Sequence, residues 1–281
     1  MKPSAPFFSI VIPALNEEKY LPHLLEDLSN QTNQDFEVIV IDGNSDDGTV
    51  TKAEAFASKL NITVKTVKKR NVSFQRNTGG KLAKYNWIIF MDADNRLPPY
   101  LLDGVRYQLS KSPKTDIFTL WIKVDSTARI DKTLEQALNF GMELYNKIGK
   151  AAALGSFIGC RKSVVNKIKF DEKQKYAEDG MFTNAAKTAG FVFSIFREPS
   201  YFYSLRRIQA GGVLHNVQKV AQLQLQFLRG RNMYDVDYPM LGGAYYDTRP
   251  EGIVKKMHDY INHATQQQVI QARKLFRSLR N

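Results

Sequence analysis

The chain has 281 residues, 43% of them apolar and 24% charged, with a formal net charge of +12. That is enough chain to bury a real core, and the composition excludes a collagen-like, low-complexity or disordered protein. A single cysteine, Cys160, excludes an intrachain disulfide and a thiolate metal cluster, while the basic excess favours an anionic partner such as nucleic acid, a nucleotide or an anionic membrane surface.

One cysteine reads most simply as a reducing, cytoplasmic setting. The opening MKPSAPFFSIVIPALNEE has no long apolar core and no small-residue cleavage site, so it does not read as a signal peptide. No apolar run approaches the ~20 residues needed to span a bilayer.

Taken in chain order, Phe7 to Pro13 is a short β-branched strand, and Glu17 to Leu28 has leucines at helical spacing. Phe36 to Ile41 is a second strand ending on Asp42. The loop GNSDDGT follows, then a helix through Ala53, Phe56 and Leu60. Ile62 to Val67 is a third strand, Asn77 to Tyr85 a helix, and Trp87 to Met91 a fourth strand. This alternation predicts an α/β fold, with a mostly parallel sheet covered by helices on both faces. Asp116 to Val124 then reads as a strand and Asp131 to Ile148 as a one-faced helix. Ser156 to Cys160 and Ser163 to Ile168 are short and apolar. Glu178 to Ala189 reads as a helix and Phe191 to Phe196 as a strand. The last third, with Val213 to Leu228 and Gly252 to Leu279, has helical spacing. The aromatic, glycine-containing YPMLGGAYY lies between those two segments.

The stretch WIIFMDADNRLPP ends a buried strand on two carboxylates, Asp92 and Asp94. Ligands of a parallel sheet gather beyond the C-terminal ends of its strands. In an extended D-x-D the outer side chains point the same way. Two adjacent carboxylates are costly to bury unless a cation lies between them, and Mg²⁺ or Mn²⁺ would also bridge to substrate phosphates. A solvated turn rich in Asp, Asn and Pro is the other reading. The neighbouring strand ends, PALNEE and the loop from Asp42 to Thr49, are also acidic. A Walker A loop and a G-x-G-x-x-G fingerprint are both absent.

Four blocks then carry a resemblance: SIVIPALNEEKYLPHLLEDL, VIVIDGNSDDGT, RNTGGKLAKYNWIIFMDAD and GSFIGCRKSVVNKIKFDEKQKYAEDGMFTNAAKTAG. In this order and spacing the chain resembles the family-2 glycosyltransferases. The resemblance implies a GT-A fold, a Rossmann-like sheet flanked by helices. It implies a catalytic domain over 1–212, with a nucleotide-binding half over 1–100 and an acceptor-binding half over 101–212, and a helical extension over 213–281. On the same resemblance Pro13, Asn16, Glu17 and Asp42 line the base and ribose pocket, with Ser45 and Asp47 shaping its loop. Arg76 and Lys81 lie near the nucleotide. Asp92 faces the ribose or the metal, and Asp94 is the firmest ligand of Mn²⁺ or Mg²⁺. Asp179, of the pair Glu178–Asp179, is the general base of an inverting transfer. A bare helix N-terminus would also explain that acidic pair.

The Q-x-x-R-W motif of many processive relatives is absent. Its place is held by YSLRRIQAGG, where Arg206 and Arg207 are candidates for the diphosphate. Transfer of one sugar per encounter is therefore expected. His215, late in the chain, is offered as a third metal ligand, against an ordinary structural role. UDP is the preferred nucleotide, since Asp42 suits a pyrimidine N–H, with GDP and dTDP as the alternatives. The acceptor is expected to be a glycan or a lipid-linked glycan. The C-terminal helices are expected to pack on the catalytic domain, to pair in a homodimer, or to rest on the inner face of the membrane as a peripheral anchor. Ala55 to Met91 is basic without acids, but lacks the interleaved aromatics of a nucleic-acid stacking surface, so no nucleic-acid partner is expected. A noncatalytic sugar-nucleotide or glycan-binding module with the same fold is the alternative.

Overall fold

A computed structural model describes residues 8–126, 129–151, 153–206 and 234. The first half holds four strands: β1 (Phe8–Ala14), β2 (Phe36–Asp42), β3 (Ile62–Thr66) and β4 (Trp87–Met91). Between them run α1 (Leu21–Ser29), α2 (Thr49–Glu54) and α3 (Val72–Leu82). The second half has α4 (Leu101–Lys111), β5 (Ile117–Lys123), α5 (Arg129–Lys147), β6 (Phe157–Arg161), α6 (Lys162–Lys167), α7 (Glu178–Thr188) and β7 (Phe193–Phe202).

All seven strands form one sheet in the order β3-β2-β1-β4-β6-β5-β7. β1 pairs in parallel with β2 and β4, β2 with β3, and β5 with β7, while β6 runs antiparallel to both its neighbours. The sheet is thus mostly parallel, as expected. The period of two along each strand divides the core into two layers. Ile10, Ile12, Val38, Val40, Ile89 and Met91 pack beneath α1 and α4. Val11, Ile39, Ile41, Ile88 and Phe90 pack beside α6 and α7, with Val164, Val165, Phe170 and Phe182.

Four elements differ from the spacing-based expectation. α3 begins at Val72, five residues before the expected Asn77, where the Asn71 side chain accepts the Phe74 N–H at 2.8 Å. The buried face of α3 is polar, made of Ser73, Gln75, Arg76 and Asn77 with Gly79 and Gly80, so it shows no apolar periodicity. The glycines let the helix lie against the sheet: a Cβ at Gly79 would meet Val11 Cγ1 at 2.2 Å. The helix α4, for which the sequence gives no separate expectation, buries Leu101, Leu102, Val105 and Leu109. The apolar run after Ser163 lies mostly in the helix α6. β7 begins at Phe193 and runs on to Phe202. There an antiparallel bridge to Arg96 brings the following residues back beside the end of β4. The boundary expected after residue 212, and the C-terminal helices beyond it, lie outside the described residues. No helix among the described residues is long and apolar enough to cross a membrane.

Candidate functional site

The C-terminal ends of β2, β1 and β4 lie side by side, with Asp42 paired to Ala14. This alignment collects the loops that carry most of the candidate residues. Pro13 is buried within β1. The loop after β1 is laced to the loop after β2. Asn16 N–H donates to Ser45 Oγ at 2.8 Å, and Asn16 Oδ1 accepts Asp46 N–H at 2.8 Å. Asn16 (φ 54°) and Asn44 (φ 64°) take left-handed backbone, which asparagine tolerates better than most residues. Asp42 is buried, and its carboxylate accepts the N–H groups of Asn44 and Ser45 and the Ser45 hydroxyl. Asp47 accepts the Glu18 and Thr49 N–H groups, so it orders the loop. Gln75, which the sequence reading overlooked, donates from α3 to the carbonyls of Ala14 and Ile41 and clamps both strand ends.

Beyond β4 the chain is fixed from both sides. Asp92 N–H and the Asn95 side chain both donate to Ser156 O, while Arg96 and Leu97 N–H bond the Asp27 carboxylate. Asp92 and Asp94 are 29% and 22% exposed. Each meets a different arginine.

Arg76 is 2% exposed. Its Nη2 donates to Asp92 Oδ1 and Gly155 O, and its Nη1 to Glu178 Oε1, each at 2.9 Å. One guanidinium thus joins the end of β4, the turn before β6 and the first turn of α7. Asp179, next to Glu178, accepts Gly155 N–H on Oδ2 and Gly180 N–H on Oδ1, both at 2.6 Å. Burial and the adjacent Glu178 charge push its pKa up to about 7, against the lowering effect of Arg76 and the two N–H donors. A carboxylate poised there can accept a proton near neutral pH.

Arg206 holds the other side of the cleft. Its Nε and Nη2 donate to Asp94 Oδ2 at 3.1 and 2.8 Å, and Nη2 reaches Glu17 Oε2 at 3.0 Å. Glu17 is pushed up to about 8 by burial, with the Asp94 and Asp92 charges adding to it and Arg206 opposing. Among the candidate residues the structure therefore brings together Glu17, Asp92, Asp94, Arg76, Glu178, Asp179 and Arg206. Lys81 is exposed in the last turn of α3, near Lys169 and away from this cluster. Arg207 and His215 lie outside the described residues. Among the described residues no group of three His, Cys, Asp or Glu is arranged as a ready metal cage. Gly155 and Tyr20, whose ring underlies Arg206, were not legible as site residues, because a turn glycine and an isolated tyrosine carry no motif.

A family model described as Glycosyl transferase family 2 matches residues 9–198. The chain is 26% identical over 214 residues to the poly(ribitol-phosphate) beta-N-acetylglucosaminyltransferase TarS of Staphylococcus aureus, covering 71% of this chain and 36% of that protein. It is 29% identical over 215 residues to the poly(ribitol-phosphate) beta-glucosyltransferase of Bacillus spizizenii, covering 71% and 32%. The chain thus spans about a third of the length of these relatives. In fold it resembles S. aureus TarS in complex with UDP-GlcNAc, with a TM-score of 0.58 at 21% identity, over 89% of this chain and 71% of that one. It also resembles a mannosyltransferase from Pyrobaculum calidifontis in complex with GDP-Man and Mn²⁺, with a TM-score of 0.63 at 16% identity, over 94% and 76%. The α/β sheet is that of the expected GT-A fold. The matched span takes in both acidic loops and Asp179, and the chain belongs to glycosyl transferase family 2.

Proposed function

We propose that this chain transfers a single sugar from a UDP-sugar to an acceptor hydroxyl, with inversion at the anomeric carbon and with Mn²⁺ or Mg²⁺ bound. The observation that carries the reading is the Arg76 link. It ties Asp92, at the donor end of the sheet, to Glu178 beside Asp179, so the leaving group and the base face one cleft. The base and ribose lie against Pro13, Asn16, Glu17, Asp42 and the Ser45–Asp47 loop. The diphosphate lies towards Asp92, Asp94 and Arg206.

The donor set fits a hard divalent cation. Asp92 and Asp94 would hold it through carboxylate oxygens, the ligand type that Mg²⁺ and Mn²⁺ favour. A cation bound there supplies charge neutralisation for the departing diphosphate. Asp179 removes the proton from the acceptor hydroxyl as its oxygen attacks the anomeric carbon opposite the leaving group. The new C–O bond forms, the bond to the diphosphate breaks, and its electron pair leaves on the phosphate oxygen. The N–H groups of Gly155 and Gly180 keep both Asp179 oxygens oriented for this. The acceptor class is a glycan, lipid-linked or phosphate-bearing. Support for the latter comes from the poly(ribitol-phosphate) named for two relatives and from the +12 charge of the chain.

The test is calorimetric titration of UDP, GDP and dTDP, each with Mn²⁺ and with EDTA, into wild type and Asp94→Ala. Mn²⁺-dependent binding of UDP that is lost in the variant is expected. Equal UDP binding with and without metal would remove the metal from the reading. Binding of none of the three by folded protein would remove the donor site.

A further inference from the structure

The Arg206 contacts hold more than a phosphate ligand in waiting. The guanidinium lies 3.6 Å from the centroid of the Tyr20 ring, a close cation–π stack. Tyr20 immediately precedes α1, and its N–H is bonded to Glu17 O, so the ring is carried on a fixed element. On its other edge Arg206 grips Asp94 Oδ2 twice and both oxygens of Glu17. The Arg96–Phe202 bridge anchors the strand four residues earlier. A cation thus already lies against the D-x-D aspartate, held by an aromatic platform and a second carboxylate.

We propose that Arg206, carried on Tyr20, is a placeholder for the divalent cation of the donor site. It neutralises Asp94 and bonds Glu17 in the cation-free chain, and gives up Asp94 when the cation arrives. This rests on the metal-dependent reading above. Like charges within bonding distance of one carboxylate oxygen repel, and the guanidinium bonds occupy the lone pairs that a metal would take. Cation binding is therefore an exchange, and its apparent affinity is lowered by the cost of displacing the arginine. Tyr20 is a positioning residue. It retains the displaced guanidinium at the cleft, where the diphosphate can receive it.

The experiment is a Mn²⁺ titration without nucleotide, on the full chain, following the free aquo-Mn²⁺ signal by electron paramagnetic resonance. Wild type is compared with Arg206→Gln, Arg206→Lys and Tyr20→Leu. Arg206→Gln is expected to bind Mn²⁺ about tenfold or more tighter, since a full competing charge is removed. Tyr20→Leu, which loosens the arm but keeps its charge, gives a gain of about two- to fivefold. Arg206→Lys stays within about threefold of wild type, because the competing charge remains. Mn²⁺ binding that is equal or weaker in Arg206→Gln and Tyr20→Leu overturns the exchange and leaves the metal reading intact. Absence of Mn²⁺ binding in every chain overturns the exchange, and its absence also after UDP is added overturns the metal reading as well. Should Arg206→Gln fail to fold, the Tyr20→Leu comparison decides alone.

Discussion

Replacing Arg76 by methionine tests the cluster at its centre. The substitution keeps most of the volume and removes the charge that joins Asp92 to Glu178. Three carbonyl and carboxylate oxygens lose a donor at once. Breaking a buried ion pair from one side costs about 3–5 kcal/mol. Asp92 and Glu178 are 29% and 16% exposed, so solvent screens part of this. The lower end, about 3 kcal/mol, is the expected loss. For a chain of this size that lowers Tm by roughly 6–12 °C. A second readout separates electrostatics from packing. Arg76 holds the pKa of Asp179 down, so its removal moves that pKa above about 7. The ascending limb of the transfer rate against pH therefore shifts to higher pH in Arg76→Met. Thermal unfolding and a pH–rate profile of UDP release are the assays. An Arg76→Met protein that melts within about 1 °C of wild type and keeps the same pH limb would refute the linkage.

Asp179→Asn is expected to slow transfer by about 10²–10⁴-fold while UDP binding stays at the wild-type level, measured by UDP release and by calorimetry. In wild type the reactive form of Asp179 is the carboxylate, so the rate rises with pH through about 7 and flattens above it. A rate already flat from pH 5.5 upward would contradict the raised value. The same shift has a stability consequence of opposite direction. A carboxyl group whose folded-state pKa is raised contributes stability below its unfolded pKa that is lost as pH rises through about 7. Asp179→Asn should therefore gain on wild type in Tm between pH 6 and pH 8. Gly155→Ala puts a Cβ at 2.9 Å from Asp179 Oδ2 and 3.0 Å from Arg76 Nη2. It is expected to lower the transfer rate about tenfold or more through misplacement, with a stability loss of about 1–3 kcal/mol.

Much of this arrangement is legible in the sequence because it follows from apolar runs that stop abruptly on acids. FEVIVID and WIIFMDAD announce both a buried parallel strand and a polar strand end, and the structure has both. The Glu178–Asp179 pair is legible as a helix start, and α7 begins there. What escapes is whatever breaks the apolar code. The α3 helix buries Gln75, Arg76 and Asn77, so a period drawn from apolar residues places its start five positions late. Arg76 itself reads as one member of a basic run, and only the fold shows that it is buried beneath two carboxylates. Gly155 takes its place in the site through its backbone N–H and C=O, which no side-chain pattern encodes.

The charge of the cleft runs against the charge of the chain. The protein carries a net +12, yet among the described residues Glu17, Asp92, Asp94, Glu178 and Asp179 gather around two guanidinium groups, Arg76 and Arg206. That local excess, with burial, is why both Glu17 and Asp179 are pushed up towards neutrality. An anionic diphosphate entering such a cluster alone meets like charge, and the net positive charge of the chain attracts it without relieving the local repulsion. Binding of the nucleotide should therefore require a cation to enter with it. UDP affinity in EDTA is expected to be at least tenfold weaker than with Mn²⁺, and the deficit should narrow as pH falls and carboxylates in the cleft take up protons. A UDP affinity in EDTA that is independent of pH between 5.5 and 8 would show that the diphosphate lies away from these carboxylates.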